Sequence, residues 1–137
     1  AAPVATPVQT TATPAPIAET TPAAPAQAVT PALRSDEMTV TLAPDASTEI
    51  KATLNEGQTV NYEWTSTGKT NFDVHGDSAA LMVDYHSYSK GSKERDEGVI
   101  KAAFTGNHGW FWRNRTKETV TIVLKTQGEY SKIAEMH

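Results

Sequence analysis

Apolar and polar residues alternate with a period of two along most of residues 36–137, from Met38 to Tyr130. Strands that bury one face have this pattern, and no stretch has the 3.6-residue period of an amphipathic helix. Turn residues interrupt the alternation about every ten positions. The sequence therefore predicts an all-β fold, an antiparallel β-sandwich or jelly roll of about eight strands. Separate strands are predicted at 60–64, 72–74, 81–85 and 99–104, and turns at 43–45, 55–57 and 67–69.

One polar stretch does not fit the alternation. Residues 87–98 (SYSKGSKERDEG) are charged and contain two glycines. Composition of this kind is typical of surface connections. We expect these residues to form an exposed loop.

The first 33 residues have a different composition. They contain seven of the eight prolines, eleven alanines and seven threonines, but no glycine, no aromatic residue and only one charge, Glu19. Each proline removes a backbone donor and disfavours helix, and few large side chains are available to bury. Residues 1–35 are therefore expected to be a disordered or polyproline-like linker, which would reach roughly 100 Å if fully extended and about 30 Å as a coil. The folded domain is predicted at 36–137.

Two interpretations of this linker are open. It is either a spacer that holds the domain away from a surface, or a terminus without a function of its own. The first residue is Ala1 rather than Met, which suggests that an upstream segment precedes it. The Ala/Pro/Thr composition is typical of linkers that cross an extracytoplasmic space, and also of O-glycosylated stalks. We expect a spacer that follows a membrane-inserted segment.

Composition excludes several classes of function. The chain has no cysteine, so disulfides and thiolate sites are absent. Its net charge is -4, and -3 once Glu19 is set aside, so nucleic acid is not an expected partner. No 18-residue apolar run or basic amphipathic helix occurs, and membrane contact is expected only through an upstream segment. No nucleophile elbow, phosphate-binding glycine loop or zinc-protease motif is present, so we predict a protein that is not an enzyme.

Three histidines lie near predicted strand ends. Asp73 and His75 are two residues apart on one strand and project from the same face, while His86 and His108 follow in later segments. If these strand ends share one edge, the four side chains form a candidate metal site for zinc, copper(II) or nickel. A second interpretation is that the rings bond locally beside turn glycines, and a third is that they recognise a polar ligand.

The segment 108–115 (HGWFWRNR) contains three consecutive aromatic residues. A strand places them on both faces, so we expect Trp110 and Trp112 in the core, facing Trp64 and Tyr62. Phe111 and Arg113 then share the other face, where they either stack on a sugar ring or bind an anion, or form an ordinary cross-strand pair. We include Tyr88 as a third candidate ligand-binding residue.

Six segments of the chain resemble bacterial proteins known only as transmembrane anchor proteins. The similarity covers about 95 residues, essentially the whole predicted domain. It implies an inner-membrane protein with one N-terminal transmembrane helix, an Ala/Pro-rich linker and a periplasmic sandwich similar to the GOLD domain of p24 cargo receptors. The segments are 36–44 (DEMTVTLAP), 60–64 (VNYEW), 71–76 (NFDVHG), 85–91 (YHSYSKG), 108–115 (HGWFWRNR) and 120–130 (VTIVLKTQGEY).

The expected function is therefore a binding or scaffold domain on the periplasmic side of the bacterial inner membrane. Its partner would be a periplasmic or membrane protein, or a small ligand, recognised where histidines and aromatic residues cluster. Two alternatives are a divalent transition-metal binding protein and a carbohydrate-binding module.

Overall fold

The structure is a computed structural model that describes residues 33–136, and its regular elements in that range are all β-strands. The first strand begins at Arg34, two residues before the predicted start of the domain. Most of the predicted linker lies outside the described residues. The strands are β1 (Arg34–Leu42), β2 (Ser47–Leu54), β3 (Thr59–Ser78), β4 (Val83–Lys101), β5 (Gly106–Arg113), β6 (Val120–Gly128) and β7 (Lys132–Met136).

All seven strands belong to one antiparallel sheet with the order β1-β6-β3-β5-β2-β7, and β4 pairs with β3 beside this path. Strand β3 is long enough to pair with two strands, one after the other. Its residues 60–66 pair with β6 and its residues 71–77 pair with β5. The register between β3 and β4 shifts between Thr65 and Thr70, where the sheet passes from its first half to its second.

The two halves curl over a common core. The ring of Tyr62 in the first half lies 5.4 Å from that of Trp110 in the second, and Trp64 lies 5.9 Å from Trp112. All three tryptophans are fully buried. The predictions of an antiparallel all-β fold and of a core that contains Trp110 and Trp112 are therefore confirmed.

Two predictions about the connections were wrong. Residues 87–98 are part of β4 rather than a loop, and residues 67–69 lie within β3 rather than in a turn. The physical reason is that, among the described strands, β4 pairs only with β3 and most of its side chains are exposed, so they can be polar. The strands predicted at 60–64 and 72–74 are the two parts of β3, which explains the count of seven described strands.

The predicted turns at 43–45 and 55–57 are confirmed. The amide of Ala46 donates to the carbonyl of Ala43 at 3.0 Å, and Gln58 donates to Asn55 at 3.0 Å. Both turns contain a residue with a positive φ, 65° at Asp45 and 87° at Gly57. Asp and Gly tolerate this left-handed region better than bulkier residues, so these turns can reverse the chain tightly.

One end of the sandwich holds the beginning of β1 and three connections between the two halves. These connections touch each other: Arg34 Nη1 donates to the carbonyl of Ser131 at 2.7 Å, and the amide of Gly57 donates to Ala102 at 2.8 Å. The β3–β4 turn lies at the same end, because Asp77 pairs with Asn107 and Leu54 with Gly106. We call this the entry end; it comprises Leu33 and residues 55–58, 79–82, 102–105 and 129–131.

Candidate functional site

A row of side chains crosses the outer face of the second half of the sheet at Phe111. Glu49 on β2 and Asp73 on β3 lie directly opposite Phe111 in register, and Lys90 on β4 lies opposite Asp73. Phe111 is partly exposed, whereas its neighbours Trp110 and Trp112 are buried. The prediction that Phe111 and Arg113 share the face opposite these tryptophans is confirmed.

Two open grooves meet at Phe111, one of 490 Å³ towards β3 and β4 and one of 470 Å³ towards β2 and β7. The ring of Phe111 lines both grooves. Most of the other lining side chains carry hydroxyl, amide or charged groups. We call the ring and these side chains the Phe111 surface. Besides Phe111 it comprises Asn71, Asp73, Lys90 and Ser92 in the first groove, and Thr41, Ser47, Thr48, Glu49 and Glu135 in the second.

Arg113 lies on the same face, two residues further along β5. Ser47 and Asn71 flank it in register on the neighbouring strands. Its Nε atom is buried and has no hydrogen-bond partner within residues 33–136. Arg113 therefore lies beside the Phe111 surface, and its Nε atom faces the protein rather than the grooves.

A network of charges lies beside Phe111 on the same face. Lys51 is only 5% exposed and forms ion pairs with Asp77 and, at 3.5 Å, with Glu49. Gly109 is the residue opposite both Lys51 and His75, so no side chain separates them. One ammonium group thus faces two carboxylates, and one negative charge of these three groups is left uncompensated.

His75 and Asp73 are part of this network. His75 Nε2 lies 2.9 Å from Glu49 Oε2, and Nδ1 lies 3.6 Å from Asp73 Oδ1. The Tyr85 hydroxyl donates to Asp73 at 2.7 Å, and its ring stacks on His75 with the ring centres 5.1 Å apart. Asp73 and His75 therefore lie side by side as the sequence predicted, but their neighbours are Glu49 and Tyr85 rather than other histidines.

His108 lies inside the sandwich and both of its ring nitrogens are occupied. The amide of Ala103 donates to the Tyr88 hydroxyl at 3.0 Å, and this hydroxyl contacts His108 Nδ1 at 2.9 Å. The other nitrogen, Nε2, lies 2.9 Å from the carbonyl of Phe104. A carbonyl only accepts, so Nε2 carries the proton and Nδ1 accepts from Tyr88. Burial lowers the pKa of His108 and raises that of Tyr88, so both groups are held neutral.

The four predicted metal ligands do not form one ligand set. His86 is exposed, with its ring against Tyr88 at 5.0 Å and Phe104 at 5.6 Å, and His108 is fully occupied in the interior. Within residues 33–136, no group of three or more His, Cys, Asp or Glu residues is arranged to hold a metal ion. The second interpretation, that the histidine rings bond locally beside glycines, fits His108. Its ring packs against Gly76 so closely that a Cβ atom added at position 76 would lie 2.3 Å from Nδ1 of His108.

Tyr88 lies apart from the other two candidate ligand-binding residues, Phe111 and Arg113. Its hydroxyl is used by Ala103 and His108, and its ring packs against the core, so it does not lie on the face of Phe111 and Arg113. Sequence reasoning also missed Glu49 and Lys51. Nothing in the segment STEIKATL distinguishes Lys51 from an ordinary surface lysine, because its burial depends on the glycine opposite it on β5.

Fold and surface together define this part of the chain as an all-β antiparallel domain with the Phe111 ring between two open grooves. Comparison with protein-family models finds no match, and a search of curated proteins also finds none. A solved structure similar to this chain is a de novo designed double-stranded β-helix, determined in solution by NMR. It is 15% identical, with a TM-score of 0.44, and the alignment covers 66% of this chain and 97% of that one. Across the described residues, no helix is long and apolar enough to span a membrane.

Proposed function

We propose that this chain is a non-enzymatic binding domain that recognises its ligand on the Phe111 surface. The observation that carries the proposal is the position of Phe111 between two open grooves lined by hydrogen-bonding groups. A partly exposed aromatic ring with convergent polar groups is typical of ligand sites. We further propose that residues 1–35 tether the domain to the bacterial inner membrane, so that it acts in the periplasm.

The charges of the surface indicate the kind of ligand. Lys51 is paired with Glu49 and Asp77, and Lys90 lies opposite Asp73 in register, so the face carries no strong field of one sign. A ligand that binds here would be close to neutral, with an apolar face for Phe111 and several polar groups for the grooves. A segment of a partner protein meets this description.

A saccharide is the second candidate, and the length of the surface favours it. The ring carbons of a sugar present an apolar face to Phe111, and its hydroxyls are able to bond to Asn71, Asp73 and Ser92. Because the second groove continues past Phe111 towards β7, an oligosaccharide of several units would cross the strands and use both grooves.

The first experiment tests binding directly. The ¹⁵N-labelled chain is titrated with chitohexaose and with peptidoglycan disaccharide–peptide fragments, in the wild type, in Phe111→Ala and in Val99→Ala. Val99 is 61% exposed and lies on the other half of the sheet, so it is a matched control. Shifts that centre on β5 and disappear only in Phe111→Ala support the saccharide candidate; near-ultraviolet circular dichroism of the three buried tryptophans checks the fold of each variant.

The second experiment tests a protein partner. The immobilised chain captures proteins from a detergent-solubilised bacterial envelope, and Phe111→Ala and Arg113→Ala are compared with Val99→Ala. Bands retained by the wild type and by Val99→Ala but lost in both surface variants support recognition at this face. If neither titration nor capture depends on Phe111, the proposed site is wrong. Fractionation of the natural protein into the membrane pellet tests the tether separately.

A further inference from the structure

The turn of the β3–β4 hairpin is both apolar and exposed. It reads Ala79-Ala80-Leu81-Met82, without the Gly, Asn, Asp or Pro that usually form tight turns. Met82 is 88% exposed and Leu81 is 55% exposed. The φ angle of Met82 is 56°, in the left-handed region that residues with a Cβ atom disfavour. Nothing in the turn itself accounts for apolar side chains at these positions.

A third exposed apolar residue lies at the same end of the sandwich. Leu33 is 64% exposed and precedes β1 directly, at the point where the chain enters the domain. Of the six large hydrophobic residues exposed within 33–136, three therefore belong to the entry end, as defined above. The end at which the described chain begins is thus the one that presents Leu33, Leu81 and Met82.

Charge does not dominate this end. Basic and acidic side chains are balanced in and beside its connections, so a contact made here depends on apolar burial rather than on attraction to one sign of charge. The ionisable residues are Arg34, Lys101 and Lys132 on one side and Glu56, Asp77, Asp84 and Glu129 on the other, and Asp77 is paired with Lys51.

We propose that the entry end docks on a lipid bilayer, with Leu81 and Met82 inserted at the boundary between headgroups and acyl chains. The inference rests on the proposed function in taking residues 1–35 as a membrane tether. A tether that joins the domain at Leu33 limits how far this end can move from the bilayer, and the hairpin turn lies at the same end. Two inserted side chains bind weakly, but a linker raises their effective concentration at the surface to the millimolar range.

Docking in this orientation leaves the Phe111 surface free. Gly106 begins β5 at the entry end and Arg113 ends it at the opposite end, so Phe111 lies towards the side away from the bilayer. The tether and the inserted hairpin turn would then together orient the domain with its entry end at the bilayer. Both grooves would remain accessible from the periplasm.

The absence of cysteine allows a clean test, because a single introduced cysteine is the only site for a thiol-reactive probe. Met82→Cys and Lys69→Cys are labelled with the environment-sensitive fluorophore NBD. Lys69 is exposed and lies at the opposite end, where β3 crosses between the halves. The full chain, with an N-terminal hexahistidine tag in place of a membrane anchor, is bound to phosphatidylcholine vesicles that contain a nickel-chelating lipid.

The expected result is a brighter, blue-shifted emission from the probe at 82 and no change at 69. Adding Leu81→Glu should weaken the docking step by about tenfold or more, since an ionised carboxylate would replace a leucine side chain that is inserted in the bilayer. Phosphatidylserine should not strengthen docking, because the end is not basic. No change at 82, equal changes at both sites, or a change only with vesicles that contain inner-membrane proteins would overturn lipid docking.

These outcomes are separable from the proposed function. Loss of docking in vesicles would leave ligand binding at Phe111 and the membrane fractionation of the natural protein unaffected. Conversely, recovery of the natural protein in the soluble fraction would contradict the proposed membrane tether, whatever the vesicle measurement shows.

Discussion

Replacing Gly76 by alanine tests the interior arrangement around His108. A Cβ atom at position 76 would lie 2.3 Å from Nδ1 and 2.8 Å from Cε1 of the His108 ring. The ring has little room to move, because the Tyr88 hydroxyl holds Nδ1 and the carbonyl of Phe104 holds Nε2, both at 2.9 Å. Alanine at 76 must therefore displace the ring and break at least one of these bonds.

The expected cost follows from these contacts. Overpacking costs about 1–3 kcal/mol, and each lost hydrogen bond costs about 0.5–1.5 kcal/mol. The smaller unfolded-state entropy of alanine offsets about 0.4–1 kcal/mol of this. We expect Gly76→Ala to lower the free energy of unfolding by about 2–3 kcal/mol. Urea unfolding followed by tryptophan fluorescence at pH 7.5 measures it.

The same substitution in a His108→Ala variant tests whether the histidine ring causes this loss of stability. In His108→Ala the ring is absent, so adding Gly76→Ala should cost nothing or stabilise slightly, which gives a coupling energy of about 2 kcal/mol or more in the double-mutant cycle. Imidazole NMR gives an independent readout: the Nε2–H signal of His108 should exchange slowly in the wild type and rapidly in Gly76→Ala. A cost below about 0.5 kcal/mol, or the same cost in both backgrounds, would refute the reasoning.

Three further predictions concern pH, the surface network and metals. Burial lowers the pKa of His108 below its ordinary 6.5, so the unfolded chain binds more protons and stability should fall as pH drops through the range just below 6.5. The slope of unfolding free energy against pH should flatten in His108→Asn, and an unchanged slope would contradict this. Lys51→Met should lower the unfolding free energy by about 1–2 kcal/mol in urea titrations, because Glu49 and Asp77 lose their buried partner. The loss is moderate because both carboxylates are about one third exposed and are partly solvated. An equal loss in the exposed control Lys69→Met would contradict this. Calorimetric titration with zinc, copper(II) and nickel should find no site tighter than about 0.1 mM, around -5.5 kcal/mol; tighter binding that Asp73→Ala abolishes would restore the metal hypothesis.

Local patterns predicted the parts of the fold that depend on alternation. Side chains in a strand point alternately to two faces, so the burial of Trp110 and Trp112 and the partial exposure of Phe111 follow from their order along β5. The turn at residues 43–45 was predictable for a similar reason, because its conformation is set by adjacent residues.

The polar strand β4 shows where this reasoning stops. Its exposed residues carry no apolar alternation, so composition favoured a loop, and only the pairing with both halves of β3 makes it a strand. The apolar turn at Leu81 and Met82 was missed for a related reason: the same alternation suits a strand or an exposed turn, and only the position of the hairpin decides between them.

The sequence by itself determined the all-β class, the composition boundary near residue 33, the buried tryptophans and the pairing of Asp73 with His75 on one face, because each depends on residues close together in the chain. Only the tertiary structure decided which strands are neighbours. That choice buried Lys51 opposite Gly109, placed Phe111 between Glu49 and Asp73, and put His86 and His108 opposite Gly76, on the other face from His75. Cross-strand neighbours come from register between segments that are far apart in sequence, and a period-two pattern is compatible with many registers until the core is packed.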